Sequence, residues 1–125
     1  MSSVCPCGSG RPCAGCCGRL HAGEPASTAE ALMRSRYSAY VLGLAPYLLA
    51  TWHASTRPAV LNLADEAGTK WLGLEVKRHQ QQDELHATVE FVARYRIAGR
   101  GQRLHEVSSF VREDGRWYYV DGDVS

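Results

Sequence analysis

Apolar residues recur every three or four positions in the first half of the chain, which is the spacing that gives an α-helix one apolar face. The pattern predicts a long amphipathic helix from about residue 27 to 44, with Ser27 and Glu30 forming a capping box at its start. A second, shorter helix is predicted with Pro46 in its first turn, and a third that opens at Pro58.

The hydrophobic period changes to two from residue 71 onward, which is the period of a β-strand with one buried face. The residues expected to be buried are Leu72, Leu74 and Val76 in a first strand and Leu85, Ala87, Val89, Phe91, Ala93, Tyr95 and Ile97 in a second. Gly99 to Gly101 predicts a hairpin, and a strand from about 103 to 112 follows. Asp114-Gly115 then predicts a two-residue turn before a last strand from Trp117 to Val120. Helices followed by an antiparallel meander indicate an α+β fold.

Composition and charge narrow the class of protein. The chain has 125 residues, which is the size of one ordinary domain with a short appendage. A net charge of +1 gives no global attraction to nucleic acid or to acidic membranes, so any such partner must be recognised locally. The first residues lack the apolar stretch of a secretory signal, and the longest apolar run, at 41–50, is too short to span a bilayer. We expect a cytoplasmic protein without membrane contact.

All five cysteines lie between residues 5 and 17. Cysteines that fill a core or form a disulfide framework would be scattered, whereas the ligands of one metal ion must converge. Cys5, Cys7, Cys16 and Cys17 are one set of four ligands, and Cys5, Cys7, Cys13 and Cys16 are a second set with a common chelating spacing. Zn²⁺ suits either set, because it accepts four thiolates in a tetrahedron. A metal-free flexible tail and a redox role for Cys13 are the alternatives.

The run Cys-Pro-Cys-Gly-Ser-Gly at residues 5–10, followed by Cys16-Cys17, resembles the SEC-C motif, a small zinc-binding element found at the C-terminus of the SecA translocation motor. The resemblance implies that Cys5, Cys7, Cys16 and Cys17 are the ligands of a structural zinc ion. Cys13 departs from the motif and stays an alternate ligand. In SecA these elements are docking devices, which implies a role in protein contact.

A second resemblance covers nearly the whole chain. The segments Leu-Met-Arg-Ser-Arg-Tyr-Ser-Ala-Tyr at 32–40, Thr-Trp-His at 51–53 and the ending at 110–122 resemble the bacterial YchJ-like family. The resemblance implies a SEC-C-like zinc-binding element at 1–22 and a cone-shaped domain at 23–125. That domain would be cystatin-like or nuclear transport factor 2-like, with helices packed on a curved antiparallel sheet. The resemblance implies no established activity.

Arg36 is the candidate functional residue of the long helix, because it lies on the apolar face. A buried guanidinium needs a partner, since an unpaired buried charge is very costly. Glu106 is the best candidate if the face of residues 104, 106, 108 and 110 points inward. The opposite face is almost as apolar, so the orientation stays open. Our hypothesis is a polar cluster of Arg36 and Glu106, joined by Asp121 or His53, at the mouth or floor of the cone.

Two functions follow from these residues. The first is a non-enzymatic adaptor, in which zinc folds the N-terminal element for contact with a protein or a ribosome. Arg94, Arg96, Arg100 and Arg103 around one hairpin, with Arg11 and Arg19, would be a docking surface for RNA, a ribosome or an acidic protein. The alternative is that they are solvated charges that protect a sheet edge from pairing. The second is a small-molecule pocket in the cone, of the isomerase, dehydratase or hydrolase type, with Glu106, His53 or Asp121 as general base. The sequence leaves catalysis and a homodimer open.

Overall fold

A four-stranded antiparallel sheet lies behind one long helix in the computed structural model. The structure describes residues 5, 7, 15–59, 61 and 69–124, and it describes residue 124 by its backbone alone. The helices are α1 (Cys17–His21), α2 (Ala29–Leu42) and α3 (Ala45–Ala50). The strands are β1 (Thr69–Gln81), β2 (His86–Ile97), β3 (Arg100–Glu113) and β4 (Arg116–Val124), in the spatial order β1-β2-β3-β4. Helix α2 packs against β1, β2 and β4. The predicted α+β fold is confirmed.

The N-cap of helix α2 lies one residue after the predicted one. The N-cap residue is Thr28, whose Oγ1 accepts a hydrogen bond of 3.0 Å from the backbone N–H of Ala31. The capping box from Ser27 to Glu30 is therefore wrong, and Glu30 instead forms an ion pair with Arg34 one turn further along. The helix ends at Gly43, whose φ of 74° lies in the left-handed region that glycine adopts without strain.

Helix α3 follows almost at once and has Pro46 in its first turn, as predicted. The predicted third helix falls largely on residues 60 and 62–68, which lie outside the described part of the chain. Pro58 and Ala59, at its expected start, are not helical.

Strand β1 changes its inward face at a bulge. Its pairing with β2 shifts between Trp71 and Gly73 and again between Val76 and Arg78, so one extra residue stands in β1 at each place. An extra residue reverses which side chains point to the core. Leu72, which the alternation placed inside, is therefore 46% exposed, whereas Trp71 and Leu74 pack against the core.

Two tight turns connect the later strands. Ala98 and Gly99 have φ values of 52° and 79°, and Asp114 and Gly115 have the same pair of values. Two consecutive left-handed residues are typical of the type I′ turn, which matches the twist of a hairpin. The turn at Asp114-Gly115 is where the sequence predicted it. The first turn falls at Ala98-Gly99, so Gly101 lies inside β3.

The core lies between α2 and the inner face of the sheet. Its buried members are Ala29, Leu32, Met33, Tyr37, Ala87, Val89, Phe91, Ala93, Phe110 and Trp117. Each large apolar side chain that is fully buried contributes roughly 1.5–3 kcal/mol to folding. The inward residues predicted for β2 are buried from Ala87 to Ala93, but Val92 on the opposite face is buried as well. At the ends the prediction is wrong, since Leu85 is 52% exposed and Ile97 is 45% exposed. No helix among the described residues is long and apolar enough to cross a membrane.

Candidate metal centre and ligand cavity

Four thiols converge at the start of α1. The Sγ atoms of Cys5, Cys7, Cys16 and Cys17 all lie within 4.8 Å of one another. The Cys7 and Cys16 sulfurs are 3.6 Å apart, and the Cys16 and Cys17 sulfurs are 4.0 Å apart, so these thiols are reduced rather than joined in a disulfide. Cys13, the alternate ligand, lies outside the described residues.

The thiol geometry fits a tetrahedral metal ion. Sulfurs bonded to Zn²⁺ at about 2.3 Å stand about 3.8 Å apart, and the Cys7–Cys16 and Cys16–Cys17 separations lie on either side of that value. Four thiolates fill all four positions of a tetrahedron, which leaves none for a substrate. These residues could therefore hold a metal ion in a closed, structural site.

The thiol cluster is packed onto α2. Cys5, Cys7 and Cys17 are each no more than 2% exposed, and Leu74 of the sheet packs against them. The Sγ of Cys5 lies 3.5 Å from Ser38 Oγ, and Arg34 Nη1 donates a hydrogen bond of 2.8 Å to the backbone carbonyl of Cys7. The described part of the N-terminal element thus shares a core with the helix.

The pKa values within the cluster show that the thiols do not ionise equally. A hydrogen bond with Cys7, together with burial, raises the pKa of the Cys17 thiol far above its ordinary value. Burial also acts to raise the pKa of Cys5, but the Ser38 hydroxyl and nearby hydrogen bonds lower it overall. A cation among the sulfurs would offset the repulsion that keeps them protonated.

A cavity of about 210 Å³ lies beneath α2, against the inner face of the sheet. Its lining residues are Met33, Arg36, Tyr37, Tyr40, Trp71, Phe91, Ala93, Leu104, Glu106, Ser108, Phe110 and Tyr119. Glu106 and Ser108 reach it because the even-numbered residues of β3 point inward. The structure thereby settles the orientation that the sequence left open.

Arg36 is buried at the cavity, with only 6% of its surface exposed. Its Nη1 donates hydrogen bonds to the backbone carbonyl of Leu48, at 2.8 Å, and to Thr51 Oγ1, at 2.7 Å. The guanidinium carbon lies 5.1 Å from the ring centroid of Trp52 and 4.5 Å from that of Tyr119. Burial lowers the pKa of Arg36. Its Nε and Nη2 have no hydrogen-bond partner among the described residues.

Glu106 does not form the ion pair with Arg36 that the sequence suggested. Both side chains line the cavity, but no N···O distance between them is within 4.0 Å in the described structure. Glu106 Oε2 accepts a short hydrogen bond from Ser108 Oγ instead, and its side chain lies against Gly122. Arg36 is held away from it by the end of α3 and by two aromatic rings.

The other two residues of the suggested cluster lie elsewhere. His53 Nε2 pairs with the carboxylate of Glu113, and its Nδ1 lies 2.7 Å from Ser55 Oγ. Asp121 is exposed on β4. Neither residue lines the cavity. The sequence placed residue 108 on one face with Glu106 without naming Ser108 as a site residue, and it did not indicate Tyr119 at all. The alternation of β3 could have found Ser108, since it shares a face with Glu106.

Cations face each other across the outer surface of the sheet. Lys70 is the cross-strand partner of Arg96, and Arg94 is the cross-strand partner of Arg103. None of the four forms an ion pair within 4.0 Å with another described residue, while the nearby Glu75 carboxylate pairs with Lys77. We call these four residues the basic face. Of the other predicted cations, Arg19 pairs with Glu24, and Arg11 lies outside the described residues.

Known proteins match this chain along its whole length. Residues 28–122 match the family described as YchJ, middle NTF2-like domain. A UPF0225 protein of Bordetella parapertussis is 60% identical, and the alignment covers 98% of this chain and 93% of that protein. A UPF0225 protein of Chromobacterium violaceum is 59% identical, with 98% of this chain and 94% of that protein covered.

Two solved structures are similar in fold and in sequence. The solution structure of a SEC-C motif containing protein from Rhodopseudomonas palustris matches with a TM-score of 0.87 and 37% identity, covering 100% of this chain and 99% of that one. The crystal structure of a SEC-C motif containing protein from Psychrobacter arcticus matches with a TM-score of 0.83 and 32% identity, covering 98% of this chain and 83% of that one. Both resemblances seen in the sequence are confirmed, and the chain belongs to the YchJ family of UPF0225 proteins.

Proposed function

We propose that this protein binds a small molecule in the cavity beneath α2, and that a structural Zn²⁺ ion held by four thiols stabilises the surrounding fold. The proposal rests on the side chain of Arg36. It is a buried charge whose Nε and Nη2 donors lack partners among the described residues, at the wall of a cavity. Neither atom is among the fully buried atoms that lack a partner in the described structure, so both face space in which a guest can supply an acceptor.

The cavity walls suit an organic guest. Most of the lining side chains are aromatic or aliphatic, and few polar groups stand among them. Ligand sites commonly combine an apolar wall with a few polar groups that fix orientation. We propose binding, because Arg36, Glu106 and Ser108 place hydrogen-bonding groups on an otherwise largely apolar wall.

Benzene is the probe that tests whether the cavity accepts a guest. A closed apolar cavity of about 150 Å³ is large enough to bind benzene, and this cavity, which is partly open to solvent, is about 210 Å³. We expect benzene to shift the amide NMR signals of cavity residues such as Phe91 and Leu104. Ala93→Leu should fill the cavity and abolish the shifts, whereas Thr88→Leu on the outer face should leave them intact. Shifts that are absent, or that survive Ala93→Leu, would contradict the proposal.

Zinc is the metal that the thiol cluster fits best. The site has four sulfur donors, tetrahedral spacing and no open position, and Zn²⁺ has no redox chemistry to disturb it. Metal analysis with native mass spectrometry should find one zinc ion per chain. Chelation should lower the unfolding free energy, because Cys5 and Cys7 share a buried core with α2. A chain purified without metal, and equally stable with and without chelator, would contradict the zinc proposal.

The adaptor function remains a second proposal, and the basic face favours it. Two directly opposed pairs of cations weaken a sheet. Lys77 lowers the pKa of the nearby Glu75 carboxylate, and Arg94 and Arg103 add to that effect, so Glu75 also interacts with one of the two pairs. The backbone of structured RNA, as on a ribosome, is the partner that this charge pattern suits. RNA binding should then weaken steeply with salt and with loss of any of the four cations.

A further inference from the structure

We propose that the ligand of the cavity carries no net charge and has a single ring bearing one polar group that accepts a hydrogen bond from Arg36 and donates one to Glu106. This inference rests on the proposed function and specifies the chemistry of its ligand. A primary amide on a six-membered aromatic ring, with about nine non-hydrogen atoms, is the simplest molecule of this class.

The size of the ligand follows from the volume of the cavity. About 210 Å³ holds roughly seven water molecules, since each takes about 30 Å³ in the liquid. A cavity of about 150 Å³ binds benzene, so this cavity has additional space for about two water molecules. The rings of Tyr37, Tyr40, Trp71 and Phe91 stand around this space. A single ring with one small substituent therefore fills it.

The charge of the ligand is inferred from Arg36 and Glu106, the ionisable groups of opposite charge in the cavity lining. Arg36 and Glu106 both line the cavity, and they are too far apart to form an ion pair. A carboxylate bound to Arg36 would add a second negative charge near Glu106. A cation bound to Glu106 would add a second positive charge near Arg36. Like charges in a partly buried site repel strongly, so a neutral ligand is favoured over either ion.

The polar group of the ligand is inferred from the atoms of Arg36 and Glu106 that make no hydrogen bond within the described structure. Nε and Nη2 of Arg36 are donors without partners among the described residues. Oε2 of Glu106 accepts from Ser108, while Oε1 has no hydrogen-bond partner in the described structure. A primary amide offers an acceptor oxygen and two N–H donors on one planar group. It can therefore satisfy Arg36 and Glu106 together.

Benzamide, benzoate and benzamidinium test the inference, because they share one ring and nearly one shape while their charges differ. We expect benzamide to bind with a dissociation constant on the order of 0.1 to 1 mM, as suits so small a ligand. Benzoate and benzamidinium should bind at least about tenfold more weakly by calorimetry. Equal or tighter binding of either ion to the wild-type protein would overturn the inference.

Glu106→Gln provides the sharper test, since it removes the negative charge and leaves Arg36 in place. The variant should prefer benzoate to benzamide, reversing the wild-type order by about tenfold or more. Glu113→Gln also removes one carboxylate, but it lies outside the cavity lining and should keep the wild-type order. A purely structural role for Glu106 would change stability without this reversal, and an unreversed order in folded Glu106→Gln would overturn the inference.

The wild-type protein supplies a measurement that needs no variant. The Nε–H NMR signal of Arg36 should move further downfield with benzamide than with benzene, since only the amide accepts a hydrogen bond. An Arg36 signal unmoved by saturating benzamide would overturn the inference. If benzene binds and none of the three polar probes does, the inference fails and the proposed function stands. If benzene also fails to bind, both fail.

Discussion

Gly122 of β4 lies directly against the side chain of Glu106. A Cβ atom at residue 122 would stand 2.9 Å from Glu106 Cγ and closer still to the carboxylate, inside the 3.0 Å that real Cβ atoms keep from other atoms. Gly122 is the cross-strand partner of Ser108, whose hydroxyl donates to that same carboxylate. Strand β4 therefore leaves the space in which Glu106 is held beside the cavity.

Gly122→Ala should displace Glu106 and lower the unfolding free energy by about 1–3 kcal/mol, because the added methyl group overpacks a well-ordered contact. Urea unfolding followed by tryptophan fluorescence measures the change. Gly101→Ala is the matched control, since Gly101 also lies within a strand and a methyl group there would have no described atom within 4 Å beyond its chain neighbours. If the two variants were equally stable, Gly122 would not be what holds Glu106 in place.

The strands show how far alternation alone predicts a sheet. In β3 the pattern runs unbroken, so a single inward residue such as Phe110 sets the direction of Glu106 and Ser108. In β1 the bulge at Trp71 reverses the pattern, and Leu72 turns outward. The position of a bulge depends on how β1 pairs with β2, and the sequence of β1 alone does not show that pairing.

The surroundings of Arg36 show why the candidate site was harder to predict than the fold. The helical pattern placed Arg36 on the buried face, and it is buried. Its contacts come from the end of α3 and from Trp52 and Tyr119, which are distant from it in sequence. The sequence suggested only an acidic partner, whereas one carbonyl oxygen, one hydroxyl and two aromatic faces contact this guanidinium.

Cys17→Ser and Cys13→Ser separate the two ligand sets. If Cys17 is a ligand, Cys17→Ser should abolish stoichiometric zinc and lower the unfolding free energy by about 3 kcal/mol or more, since loss of a structural metal is among the largest single effects. Cys13→Ser should change neither quantity. Metal analysis of the two purified variants gives the answer. Loss of zinc in Cys13→Ser alone would assign the site to the other set.

Arg103→Glu should stabilise the sheet, because it replaces a pair of opposed cations with an ion pair to Arg94. Cross-strand pairs contribute roughly 0.2–1 kcal/mol, so we expect a gain of about 0.5 kcal/mol at low salt. The gain should shrink in about 1 M salt, where charges are screened.

Arg100→Glu is the control for Arg103→Glu, since it makes the same change in net charge opposite the uncharged Ile97. If the adaptor proposal holds, Arg103→Glu should weaken RNA binding more than Arg100→Glu, which lies outside the basic face, and Arg103→Glu alone should raise stability. A loss of stability in Arg103→Glu would mean that another group already neutralises Arg103.

The stability of the protein should fall in alkali through Tyr119. Burial, with the nearby carboxylate of Glu106, raises the pKa of Tyr119 to about 12, whereas an unfolded tyrosine ionises near pH 10. Tyr119 thus favours the folded state fully below about pH 10, and this contribution is lost as the pH rises toward about 12. Urea unfolding at about pH 8 and about pH 11 should show the wild-type protein losing stability relative to Tyr119→Phe. The other tyrosines are common to both proteins and cancel, so a difference that stays constant between the two pH values would contradict the raised pKa.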